Sequence, residues 1–159
     1  MPRIEEQIDI EVARADVFRF CHDLKHRPEW DEQVVAIELL TPKPIRQGSL
    51  FRVDAKDGGG AVFSWDAEVI SHQLPSGSSM RIIDAARTSP FAHGSEMSWE
   101  FSSIGSGTRL KWVWDYKPNG FIASIMDKLG KRVARQRAIK NSLANLKELL
   151  ESGRRAGVS

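Results

Sequence analysis

One cysteine, Cys21, stands in a chain of 159 residues, so no disulfide can close within it and a reducing compartment is expected. Tyrosine is as scarce, with Tyr116 alone against five tryptophans. No apolar run reaches the roughly 18 residues that a spanning helix needs, so no integral membrane segment is expected. The surplus of basic over acidic residues is only +2, too small for the broad basic face that nucleic acid requires. The first residues, Met1-Pro2-Arg3-Ile4-Glu5-Glu6, lack the pattern of a signal peptide, and a cytoplasmic location is expected. Asp57-Gly58-Gly59-Gly60 lacks the Lys and the following helix of a phosphate loop and reads as a hairpin tip. No Ser-His-Asp spacing emerges, and there is no internal repeat, low-complexity stretch or linker. A single domain over residues 1–151 is expected, with 152–159 as a frayed tail.

What is present is periodicity. Ile8, Ile10 and Val12 alternate with polar residues, as a half-buried strand does. A short helix is predicted from Ala15 to His22, and a second helical turn at Pro28-Glu29-Trp30-Asp31, where Pro28 is tolerated early. From Val34 the period is two. Phe51, Val53 and Ala55, then Phe63, Trp65, Ala67 and Val69, alternate with polar residues across the glycine turn. Pairing Lys56 with Val62 puts the large apolar groups of both strands on one face and sets Arg52 opposite Asp66. Met80 to Arg87 is a further strand, with Met80, Ile82, Asp84 and Ala86 on one face. Met97, Trp99 and Phe101, then Leu110, Trp112, Trp114 and Tyr116, complete the set. After Pro118 comes one long amphipathic helix. Asn119 is its expected N-cap, and its apolar positions run from Ile122, Ile125, Met126, Leu129 and Val133 to Ile139, Leu143, Leu146 and Leu150, with Gly153 as its end.

The fold expected is α+β: a curved antiparallel sheet of about seven strands, ordered β-α-α-β6-α, wrapped around the C-terminal helix. This is a helix grip. Three groups of residues carry a resemblance. They are Val17-Phe18 and Asp23 with Pro28-Glu29-Trp30-Asp31; Gly107-Thr108-Arg109-Leu110 opening the last strand; and Asn145-Leu146 near the end of the helix. With the order of elements from Ile4 to Glu151, the chain resembles the START-like, or SRPBCC, superfamily, and within it the polyketide cyclase/dehydrase-type proteins. The resemblance implies a hydrophobic cavity between sheet and helix, and ligand binding more firmly than catalysis.

The expected ligand-binding residues are Trp30, Phe51, Phe63, Trp65, Asp84, Trp99, Trp112, Trp114, Tyr116, Ile125, Leu129 and Gln136. Aromatics on the inner face either pack as core or line a pocket. Gln136 interrupts the apolar stripe of the helix, as a polar group facing a cavity would. Asp84 shares a face with Met80 and Ile82, where a carboxylate would be buried and acid/base-competent; if the strand shifts register it is a surface residue. His93, in a loop before a strand, is the other acid/base candidate. His22 and His26 have helical metal spacing, but Pro28 interrupts the segment and no third ligand is fixed, so no metal and no cofactor are expected. Lys128, Lys131, Arg132, Arg135, Arg137 and Lys140 make the first half of the helix basic, which would suit a weak contact with a membrane surface or an anionic ligand. The leading expectation is a binder of a small aromatic, polyketide-like or lipid-like molecule. The alternatives are a cyclase or dehydratase using Asp84 or His93, and a module that docks a partner through the basic helix. The oligomeric state stays open.

Overall fold

A computed structural model describes residues 1–155 of the chain. Its elements run β1 (Arg3–Ile10), α1 (Arg14–Cys21), α2 (Arg27–Trp30), β2 (Val34–Leu39), β3 (Leu50–Lys56), β4 (Val62–Gln73), β5 (Gly77–Ala85), β6 (Glu96–Ile104), β7 (Gly107–Asp115), α3 (Phe121–Met126) and α4 (Arg132–Arg155). The strands form one antiparallel sheet in the order β1-β7-β6-β5-β4-β3-β2. Only the β1–β7 pairing joins strands distant in sequence. The sheet curls as a half-barrel, α4 closes its concave face, and α1 and α2 plug one end. This is the helix-grip architecture.

The β3–β4 hairpin has the register its alternation dictates: Lys56 pairs with Val62 and Arg52 with Asp66. On the outer face the Arg52 guanidinium donates to both Asp66 oxygens, at 2.9 and 3.1 Å. Inward, Phe51, Val53, Ala55, Phe63, Ala67 and Val69 are buried. A one-residue slip would turn all of them out.

Two of the three resembling segments meet directly, through Asn145 and Trp30, and the third fixes the end of β1. A Cβ on Gly107 would lie 2.7 Å from the Ile10 carbonyl, so only glycine allows β7 to start so close to the end of β1. Its neighbour Thr108 is buried and donates its hydroxyl to the Val12 carbonyl at 2.7 Å, fixing the chain as it leaves β1. Asn145 of α4 donates to the Trp30 carbonyl at 3.3 Å. The Ser142 hydroxyl accepts from the Glu32 backbone N–H at 3.0 Å, and Lys147 donates to the Asp9 carbonyl at 2.6 Å. With Ile139, Leu143 and Leu146 at 0–2 % exposure, these bonds set α4 against both β1 and α2.

The C-terminal segment departs from the long continuous helix expected. It is broken within Asp127–Lys131, where two helices meet at a kink at Gly130, whose φ of 126° is a backbone conformation that favours glycine. Asn119 caps nothing: Gly120 precedes the helix, and the Asn119 amide donates to the Ser89 carbonyl at 3.0 Å. At the far end α4 continues through Gly153 to Arg155, and the remainder of the expected tail, 156–159, lies outside the described residues.

Candidate functional site

The break at Gly130 resets the helical phase. Upstream of it the apolar stripe turns outward: Phe121 is 80 % exposed, Ile122 77 % and Leu129 75 %, with Ile125 and Met126 partly exposed. Asp127 takes the inward position instead, at 2 %. It accepts hydrogen bonds from the Tyr116 hydroxyl and from Arg135, and from Arg132 Nη2 at 2.8 Å. Burial and then the Asp127 carboxylate push the Tyr116 hydroxyl above its usual range. Arg135 also stacks over the rings of Phe91 and Tyr116, at 4.9 and 5.2 Å from their centroids.

Below α4 lies a cavity of about 60 Å³. Its wall is Val34, Val53 and Ala67 with Trp65, Trp112 and Trp114, and Ile139 closes it from the helix. Outside it, between the β3–β4 hairpin tip, the 87–91 loop and the start of the C-terminal segment, is a groove of about 870 Å³. Gln33, Phe63 and Phe91 line both spaces and form the partition between them. Ligand pockets run from about 300 to 1,000 Å³. The groove therefore has room for the body of a small ligand and the cavity only for its leading end.

The charged groups on the cavity wall are Arg27 and Asp31. Arg27 is 6 % exposed, and its Nε donates to Asp31 Oδ2 at 2.8 Å. Asp31 Oδ1 accepts the Gln33 backbone N–H at 3.1 Å. The Arg27 guanidinium packs on three indoles, 5.2 Å from Trp30, 4.6 Å from Trp99 and 5.9 Å from Trp112. Those three indole N–H groups are buried without a hydrogen-bond partner among the described residues. A smaller cavity of about 20 Å³ lies on the other side of Arg27, against Phe51, Trp99, His22 and His72. There the His22 ring is held between the Phe18 carbonyl and the Ser78 hydroxyl, both at 2.7 Å. Burial lowers the His22 pKa to about 4, against the Phe18 carbonyl that raises it, so the ring is neutral near pH 7. Cys21 is buried, and burial pushes its thiol up, away from thiolate reactivity.

Of the residues expected at the site, Phe63, Trp65, Trp112 and Trp114 line the main cavity. Phe51 and Trp99 line the smaller one. Trp30 and Tyr116, at 1 % and 0 % exposure, are packed inside the core and line neither. Asp84 is exposed, because the register between β4 and β5 shifts at Asp66/Ala67: Ile82 pairs with Ala67 but Asp84 with Asp66. That bulge changes the parity of the strand and turns Ala85, not Asp84, toward the core. His93 is exposed and lines none of these spaces. Gln136 is a surface residue whose amide donates to Glu6 at 2.8 Å. Ile125 and Leu129 lie on the stripe that the break at Gly130 leaves facing outward.

Sequence reasoning missed Arg27, Asp31 and Phe91. The i, i+3, i+4 spacing of Arg27, Trp30 and Asp31 within one helical turn was the available signal for the first two. Phe91 sat in the loop that was read for His93; an aromatic among small polar residues was its only mark. Among the described residues, no group of three His, Cys, Asp or Glu is placed to hold a metal. No described helix is long and apolar enough to cross a membrane.

A curled antiparallel sheet that grips the C-terminal helix over an apolar cavity defines a helix-grip protein. The family model described as polyketide cyclase / dehydrase and lipid transport matches residues 1–151, and the chain belongs to that family. Its fold is similar to that of TTHA0849 from Thermus thermophilus, at 18 % identity and TM-score 0.79, covering 96 % of this chain and 99 % of that one. It is similar also to CV1439 from Chromobacterium violaceum, at 12 % identity and TM-score 0.71, over 94 % and 96 %. Major latex-like protein 151 from Panax ginseng is similar at 16 % identity and TM-score 0.60, over 88 % and 97 %. At these identities the likeness concerns the fold alone. No curated protein sequence matches the chain.

Proposed function

We propose that this chain is a single ligand-binding domain for a small hydrophobic molecule, with the body of the ligand in the groove and its leading end in the cavity. The observation that carries the reading is the shared partition: Phe63 and Phe91 face both spaces. A carrier is favoured over a cyclase or dehydratase, because the acid/base candidates Asp84 and His93 stand away from both spaces. The charged pair that does reach the cavity, Arg27 and Asp31, is bonded to itself. The free, buried thiol of Cys21 suits the reducing, cytoplasmic setting proposed with this function. Native mass spectrometry of freshly purified protein is expected to show a bound small molecule, and apolar aromatic or lipid-like compounds are expected to change the tryptophan emission. A protein that carries nothing and responds to no compound in such a panel would overturn the proposal.

The outward apolar stripe favours a second element of the same reading. Phe121, Ile122, Leu129 and Val133 are exposed beside the groove, into which Ile122 and Met126 also project. Lys128, Lys131, Arg132, Arg137 and Lys140 surround them, a combination that suits the anionic surface of a bilayer. The ligand would then be collected or delivered at that surface. Co-sedimentation with phosphatidylglycerol vesicles, and its absence with phosphatidylcholine vesicles, is the expected result. Equal recovery with both removes the basic side chains from the account, recovery with neither removes the lipid surface, and both leave the cavity reading intact.

A further inference from the structure

We propose that Arg27 is a specificity residue that selects ligands whose leading end carries a carbonyl oxygen and no hydrogen-bond donor. The inference rests on the cavity reading above and adds the chemistry of the ligand's inner end.

Arg27 is a donor set with one bond made. A guanidinium carries five N–H groups and no acceptor. Among the described residues its Nε–H is taken by Asp31, and its two Nη groups have no protein acceptor. The side chain is more than nine-tenths buried and lines both the main cavity and the smaller one. The layer around it adds donors rather than acceptors: the indole N–H groups of Trp30, Trp99 and Trp112 are themselves without partners among the described residues. The guanidinium carbon lies 4.6 to 5.9 Å from the centroids of the three indole rings, which holds the charged head within the aromatic layer. The buried donors left unmade are these indole N–H groups, and the Arg27 side chain lines the cavity beside them with only its Nε–H bonded, so an occupant that brings an acceptor is preferred to one that does not.

Charge decides which acceptor. Asp31, 2 % exposed, already neutralises Arg27. A carboxylate in the cavity would leave a net negative charge in an apolar space, where an unpaired charge is disfavoured. A hydroxyl or amine would bring a donor into a layer already short of acceptors. A ketone, ester or quinone oxygen meets the Nη donors and adds neither. The rest of such a ligand would lie against Phe63 and Phe91, in keeping with a cavity that admits only its end.

The test compares three small probes of one shape: acetophenone, ethylbenzene and benzoate, with dissociation constants read by ligand-observed NMR on the full chain. Acetophenone is expected to bind about 10- to 100-fold more tightly than ethylbenzene, the worth of one hydrogen bond to a charged group. It is also expected to bind more tightly than benzoate. The Arg27→Met/Asp31→Asn double variant, which removes the pair together and avoids an unpaired buried Asp31, is expected to bring acetophenone and ethylbenzene to equal affinity while both still bind. If that variant does not fold, the ratio in the unaltered protein decides alone. Equal binding of acetophenone and ethylbenzene overturns the role of Arg27 and leaves the cavity reading standing. Tightest binding by benzoate overturns the choice of carbonyl. Binding of none of the three to a protein that also fails the wider panel overturns the cavity reading itself.

Discussion

The two halves of the C-terminal segment have similar amphipathic sequences and opposite fates. In α4, Ile139, Leu143 and Leu146 are buried and close the sheet. In α3 and the kinked segment after it, Phe121, Ile122 and Leu129 face outward while Asp127 is buried. The difference lies in what each half is anchored to. α4 is fixed by hydrogen bonds that Asn145 and Lys147 donate to the Trp30 and Asp9 carbonyls and that Ser142 accepts from the Glu32 N–H, which orient its apolar stripe inward. The first half is anchored by one ionic cluster, Asp127 with Arg132, Arg135 and Tyr116, and that cluster orients its polar side inward. Helical periodicity states that a stripe exists; the anchor decides where it points.

Four substitutions probe this contrast, in falling order of effect. Leu146→Ala, at a fully buried position of the packed half, is expected to cost about 3–5 kcal/mol of unfolding free energy by urea titration. A loss of less than about 1 kcal/mol would show that α4 does not carry the core. Asp127→Asn is expected to cost about 3 kcal/mol at most, the low end for a broken buried pair, since Arg132 remains half-exposed. Its tryptophan emission should change as well, because Arg135 then loses its counter-charge beside Phe91. Gly130→Ala forces a side chain onto φ 126° and is expected to cost about 1–2 kcal/mol. An unchanged or raised stability would mean that the segment can straighten into one helix and reverse its stripe. Leu129→Ser, on the outward stripe, is expected to change stability by no more than about 0.5 kcal/mol, while lowering recovery with anionic vesicles.

The sheet was legible because period two and turn chemistry leave little freedom. Lys56 opposite Val62 is the register that buries both apolar sets at once, and the structure has it. Asp84 was not legible, because a bulge is a property of two paired strands and leaves no mark in the alternation of one. Gly130 was a visible warning: a glycine inside a helix costs about 1 kcal/mol relative to alanine, and here its conformation breaks the helix. Phe63, Trp65, Trp112 and Trp114 come to the wall of the main cavity because the inner faces of β4 and β7 follow the period of two that the sequence displays. Arg27 was passed over because a charged residue beside Lys25 and His26 reads as a solvated run. Only the tertiary fold brings three indoles around it.

The stacking of Arg135 on Phe91 has a kinetic consequence. Phe91 is one of the three residues, with Gln33 and Phe63, that line both cavity and groove, so a ligand passing between the two as proposed would displace it or its neighbour Phe63. The ring lies under a guanidinium that is bound at its other edge to Asp127. The barrier to such exchange would be set partly by an ion pair, and partly buried pairs are less screened by salt than surface ones. For a ligand bound as proposed, residence time and affinity would then be separable: the cavity wall would govern how tightly it is held, and the ionic latch above Phe91 how long it takes to escape.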